Sequence, residues 1–148
     1  AVISNTAPVI ASTVANQNVN DIATISPFSS ITTTDADGDN LTATITLDNN
    51  AKGILSGAGL SGSGPYTIAS ANAASIQSTL QSLTFNPTDN RVAVSETTTF
   101  TIVINDGTET DTDSTTTVIS NAVAPTTSSI AVTGSPATNT TSVSFFSI

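Results

Sequence analysis

"LTATITL", residues Leu41–Leu47, alternates apolar and hydroxyl side chains without a break. A period of two sends Leu41, Ala43, Ile45 and Leu47 to one face and the threonines to the other, as in a strand with one face buried and one in water. "TTTFTIVIN", Thr97–Asn105, repeats the pattern with Phe100, Ile102 and Ile104 inward. It then passes through Asn105-Asp106-Gly107 into another β-rich run, which predicts a hairpin. Ile25, Phe28 and Ile31 with Pro27 among them predict a bent or edge-exposed strand within 22–31. Glycines at 53, 57, 59, 62 and 64 bracket Ile54-Leu55 and Leu60, marking short strands and turns. One segment departs from this rhythm: "SANAASIQSTLQSL", Ser70–Leu83, sets Ile76, Leu80 and Leu83 at helical spacing behind a cap at Ser70 or Asn72.

These elements predict an all-β fold, an antiparallel β-sandwich with hairpin connections and one short helix. Composition agrees. Serine and threonine make up about a third of the 148 residues and charged residues 9%, against about 25% charged in an ordinary domain. Hydroxyls therefore cover the surface, and runs of threonine at 32–34, 97–99 and 115–117 suit pleated strands. The core is aliphatic, with five Phe, one Tyr and no Trp or Met.

The net charge is -9, with only Lys52 and Arg91 positive. Nothing in such a chain can neutralise phosphates, so nucleic acid is excluded and anionic membrane surfaces are disfavoured. Cations are the natural partners of this field. There is no cysteine, hence neither disulfide nor thiolate metal site. No apolar run approaches the length of a membrane span, so no membrane insertion is expected, and the chain reads as a mature or excised segment.

Three carboxylates stand at alternate positions in "DADGDN", residues 35–40. Calcium takes about six to eight hard oxygens, and aspartates so spaced can aim several into one small volume. Asp35, Asp37 and Asp39 match the first half of an EF-hand loop. Asn40 stands where its sharp-turn glycine belongs, Thr46 where its bidentate glutamate belongs, and the flanks are strands; an EF-hand is excluded. In a Greek-key sandwich this loop, Asp106 and the incoming Asn5–Pro8 share one end, so Asp106 and Asn5 complete a candidate Ca2+ site. A solvated polar turn is the competing reading of the same loop. Glu109, Asp111 and Asp113, at period two on one strand, predict a solvated acidic stripe that discourages edge-to-edge association.

The string "VISN" occurs at Val2–Asn5 and again at Val118–Asn121, each followed by Ala-Pro within a few residues. A junction recurring at one domain length predicts a tandem array. The chain divides accordingly: 1–5 as the tail of a preceding junction, 6–121 as one module, 122–128 as a linker, and 129–148 as the first strands of a following domain. In that last stretch Val143 and Phe145 face one way, Phe146 and Ile148 the other. An apolar strand of this kind needs a partner, so these four residues are candidate donor-strand contacts with a neighbouring or identical subunit.

Enzymatic chemistry is poorly equipped. Histidine is absent, and Lys52 is the only lysine able to activate a serine or form an isopeptide with an asparagine. A single Tyr is too little for carbohydrate stacking or a glycosidase cleft.

The succession "VISNTAPV", "TTDADGDNLTATITLD", "GILSG", a Tyr-containing strand, "SIQSTLQSLTFNPT" and "TTTFTIVINDGT" resembles the cadherin-like, immunoglobulin-like tandem repeats of large bacterial surface adhesins, over about residues 2–121. The resemblance implies an immunoglobulin- or cadherin-like sandwich at the bacterial cell surface, a stalk or extender unit in contact with neighbouring modules and with a possible cell-surface or matrix ligand, often rigidified by calcium. A fibre subunit joined by donor strands is the alternative. Related linkers commonly carry Asp after the Asn. Here Thr6 follows Asn5 and Ala122 follows Asn121, which favours an ion held in the loop over one held between modules.

Overall fold

The computed structural model describes residues 4–124. The segment carrying Val143, Phe145, Phe146 and Ile148 lies outside the described residues. The regular elements are β1 (Val9–Ala11), β2 (Gln17–Asn20), β3 (Thr32–Thr34), β4 (Asn40–Leu47), β5 (Gly53–Ser56), β6 (Leu60–Gly62), β7 (Tyr66–Asn72), α1 (Ala73–Ser82), β8 (Thr84–Pro87), β9 (Ser95–Asn105) and β10 (Thr110–Asn121). The described residues are thus mostly β with one α-helix. No helix of the described residues is long and apolar enough to cross a membrane.

Six strands form one sheet in the order β2-β10-β9-β4-β7-β6, and two ribbons, β1-β3 and β5-β8, stand apart from it. The alternation at Leu41–Leu47 is obeyed: Leu41, Ala43, Ile45 and Leu47 are buried along β4. β4 pairs antiparallel with β9, setting Ile45 opposite Ile102 and Leu47 opposite Phe100. These residues form one core with Phe28, Ile31, Leu55, Ile76, Leu80, Leu83 and Phe85. Phe28 and Phe85 each meet the Phe100 ring edge-on, with centroids 5.3 and 5.0 Å away, the arrangement that ring quadrupoles favour.

The helix begins where a cap was expected. Asn72 Oδ1 accepts from the Ser75 N–H at 2.8 Å, satisfying one of the donors a first turn leaves free. Its Ile76 and Leu80 are fully buried. Two glutamines fasten the helix to the chain before the acidic loop: Gln77 Oε1 accepts from Thr33 N and Gln81 Nε2 donates to Ile31 O. β3 therefore reaches Asp35 from a firm base.

Two expectations need correction. Residues 22–31 are not a strand: they form turns, with a single bridge from Ile25 to Phe85, while Phe28 and Ile31 are buried. The apolar spacing there reflects side chains dropped into the core from a turn. Nor is the sheet purely antiparallel. β2 lies parallel to β10, Gln17 opposite Val118 through Asn20 opposite Asn121. The N-terminal segment and the last strand both set out from the end that holds the acidic loop, so they run the same way.

Candidate acidic site

β3 ends at Thr34 and β4 begins at Asn40, leaving Asp35–Asp39 as a tight turn. Asp35 organises it. Its Oδ1 accepts from the Asp37 N–H at 2.9 Å and the Asp39 N–H at 3.2 Å, and its carbonyl from the Gly38 N–H at 3.2 Å. Gly38 has φ +74°, a left-handed conformation that glycine adopts without the Cβ penalty. The turn gathers the carboxylates: one oxygen from each of Asp35, Asp37 and Asp39 lies within 4.8 Å of the others. Ligands of one calcium ion, each about 2.3–2.6 Å from it, are separated by at most about 5 Å, so the three are spaced for a shared cation.

Asp35 Oδ2 is buried and has no hydrogen-bond partner among the described residues. A carboxylate oxygen withdrawn from water without a donor is costly. Asp39 registers the crowding as well. Burial first, and then the charges of Asp35, Asp37 and Asp106, raise its pKa above the ordinary 3.8.

The structure brings the incoming chain to this end. Thr6 N donates to Asp37 Oδ2 at 2.6 Å, and Asn5 Nδ2 donates to Asp106 Oδ2 at 2.8 Å and to Glu109 Oε2 at 2.9 Å. Asp106 sits in the β9–β10 turn, where its Oδ1 accepts from the N–H groups of Thr108 and Glu109, both at 2.7 Å. Donation from Glu109, Asn5 and Thr108 lowers its pKa below 3.8. The five sequence-derived residues therefore fall into two groups. Asp35, Asp37 and Asp39 converge on one volume, whereas Asp106 and Asn5 are engaged with each other and with Glu109 beside it.

Glu109 was not among the candidate ligands, and the stripe to which it belongs is not merely solvated. Asp111 Oδ2 accepts from Ile10 N at 2.7 Å, and Asp113 Oδ1 accepts from both the N–H and the hydroxyl of Thr115 at a bulge in β10. The period-two spacing was the signal; what it faces depends on the N-terminal segment lying against β10. Asp21 was also missed. It is buried at the other end of the molecule, accepting from Asn90 N at 2.9 Å and from Val123 N at 3.3 Å.

Both basic side chains are committed elsewhere: Lys52 Nζ lies 2.7 Å from Asp48 Oδ2 and from Thr97 O, and Arg91 Nε 3.0 Å from Glu96 Oε1. Lys52 therefore commits its ammonium to a carboxylate and a carbonyl, and among the described residues its hydrogen bonds reach no serine. No protein-family model, curated protein or solved structure matches this chain.

Proposed function

We propose that this chain is a structural module of an extracellular tandem array, an immunoglobulin- or cadherin-like β-sandwich acting as a stalk or extender unit of a bacterial surface adhesin, stiffened by Ca2+ at its acidic turn. The observation that carries this reading is where the chain enters and leaves the fold. It arrives at the acidic end through Asn5 and Thr6. It leaves past Asn121, at the far end of β10, whose 12 residues span roughly 40 Å. A module entered at one pole and left at the other lengthens any chain it is built into.

The hydroxyl-rich surface and the commitment of Lys52 to Asp48 support a mechanical role over a catalytic one. Asp35, Asp37 and Asp39 would supply the cation's oxygens, with Asp35 Oδ2 gaining the partner it lacks. Because Thr6 and Asn5 are tied to Asp37, Asp106 and Glu109, a cation held there would set the angle at which the chain enters.

Calcium titration tests this. At about 100 times its dissociation constant, a ligand bound only by the native state adds about 2.7 kcal/mol. The melting temperature should rise by several degrees with calcium, fall back with chelator, and cease to respond in Asp37→Ala. A melt indifferent to calcium in the unaltered chain would remove the cation from the proposal.

A further inference from the structure

Residues 5–21 run beside residues 106–123 in one direction, joined at intervals along their length. From the acidic end, Asn5 Nδ2 donates to Asp106 and Glu109, and Ile10 N to Asp111 Oδ2 at 2.7 Å. Next, the Thr13 and Thr115 hydroxyls share a hydrogen bond, and Asn16 N donates to Thr117 Oγ1 at 2.7 Å. The parallel ladder of β2 on β10 follows, and beyond it Asp21 N donates to Asn121 O at 2.9 Å. Finally the buried Asp21 carboxylate accepts from Val123 N at 3.3 Å.

The construction of this seam is unusual for strands. Within residues 5–21 only Gln17–Asn20 make ladder pairs with β10; before them, backbone N–H groups are met by β10 side chains. The cause is that β1 pairs with β3, so an N–H on its other edge points toward β10 and needs an acceptor. Ser12 and Asn16, with φ of 58° and 56°, bend the chain from one partner to the other. A carboxylate closes each end of the seam, Asp106 with Glu109 at one and Asp21 at the other.

We infer that this seam is the element of the module that resists tension: a pull between Ser4 and Ala124 shears its bonds together, because the joined segments are parallel and are drawn in opposite directions along their shared axis. A force at Ser4 draws residues 5–21 toward the acidic end, and a force at Ala124 draws β10 toward the other. No bond can lengthen without its neighbours, so they share the force. Had the segments been antiparallel, both attachment points would lie at one end, and the bonds would break in succession. The inference rests on the module reading in that tension reaches the fold through these two points.

The absence of cysteine allows paired thiols to be introduced as attachment points for force measurement on the full chain. Ser4→Cys with Ala124→Cys loads the seam in shear. Ser4→Cys with Thr108→Cys, at the exposed hairpin tip, opens it from the acidic end. In chelator and at matched loading rates, the first pair should rupture at no less than twice the force of the second. Thr117→Val, which removes the acceptor for Asn16 N, should weaken the first geometry. Thr101→Val, which removes the Thr101–Ser114 hydroxyl contact between β9 and β10, should not. Equal rupture forces in the two geometries overturn the inference, as does weakening by Thr101→Val as great as that by Thr117→Val. A twofold ratio supports the seam whether or not calcium raises the melt, and equal forces reject it in either case, so the two readings fail separately.

Discussion

Replacing Thr98 by valine is expected to stabilise this protein, because its hydroxyl is buried for nothing. Thr98 lies on the inward face of β9 with Phe100, Ile102 and Ile104, has 0% of its surface exposed, and stands opposite Val118. Its Oγ1 has no hydrogen-bond partner among the described residues, nor has that of Thr116, which is opposite Phe100 on β10. Withdrawing a hydroxyl from water without a compensating bond costs about 1–3 kcal/mol, and a methyl group of the same shape incurs no such cost. Thr98→Val should therefore gain about 1–2 kcal/mol. Thr116→Val should gain a similar amount, and the double variant about 2–3 kcal/mol, since the two sites are close enough to couple. Urea unfolding is the assay. With a slope of about 1–3 kcal/mol/M, the midpoint should rise by roughly 0.5–1 M at unchanged slope. Thr97→Val, one residue away but on the exposed face, is the control and should stay within about 0.5 kcal/mol of the parent. A midpoint lowered by Thr98→Val would show that the hydroxyl holds a bond worth keeping, and would refute the reasoning.

Gly53→Ala should destabilise by about 1–3 kcal/mol, measured in the same assay, because an added Cβ would fall 2.6 Å from Asn86 O and against the Phe85 ring, where β5 meets β8. Carboxyl NMR should place the Asp39 midpoint above 3.8 and that of Asp106 below it. The signs for stability differ. Native Asp39 holds its proton more tightly than the unfolded chain, so its contribution declines as pH rises from 3.8 through its raised value. Asp106 contributes fully above 3.8, and that contribution is lost as pH falls through its lowered value. Calcium at the turn should lower the Asp39 midpoint, and an Asp39 midpoint at or below 3.8 without calcium would contradict the crowding described for the cluster.

The alternation at Leu41–Leu47 and Thr97–Asn105, the Asn105-Asp106-Gly107 turn and the capped helix after Asn72 were legible because each is a local pattern. Period, propensity and capping act over a few residues, and the chain obeys them in place. The grouping of Asp35, Asp37 and Asp39 was legible for the same reason, since one five-residue turn makes it. Residues 22–31 misled because a buried side chain in a turn and one in a strand leave the same apolar mark, and only the bridge of Ile25 to Phe85 tells them apart. Glu109 and Asp111 were misjudged because an acidic residue on a strand looks solvated until its neighbour is known.

What the amino-acid order determined alone was the kind of elements and the face each buries, together with a negative chain short of cations. What the tertiary structure decided was everything between residues about a hundred positions apart: the parallel course of β2 on β10, the side-chain acceptors that meet Ile10 and Asn16, and Asp21 closing on Val123. The physical reason is that no local preference distinguishes a parallel from an antiparallel neighbour. That choice belongs to the packing of the whole core, which brings both segments to the acidic end before laying them side by side.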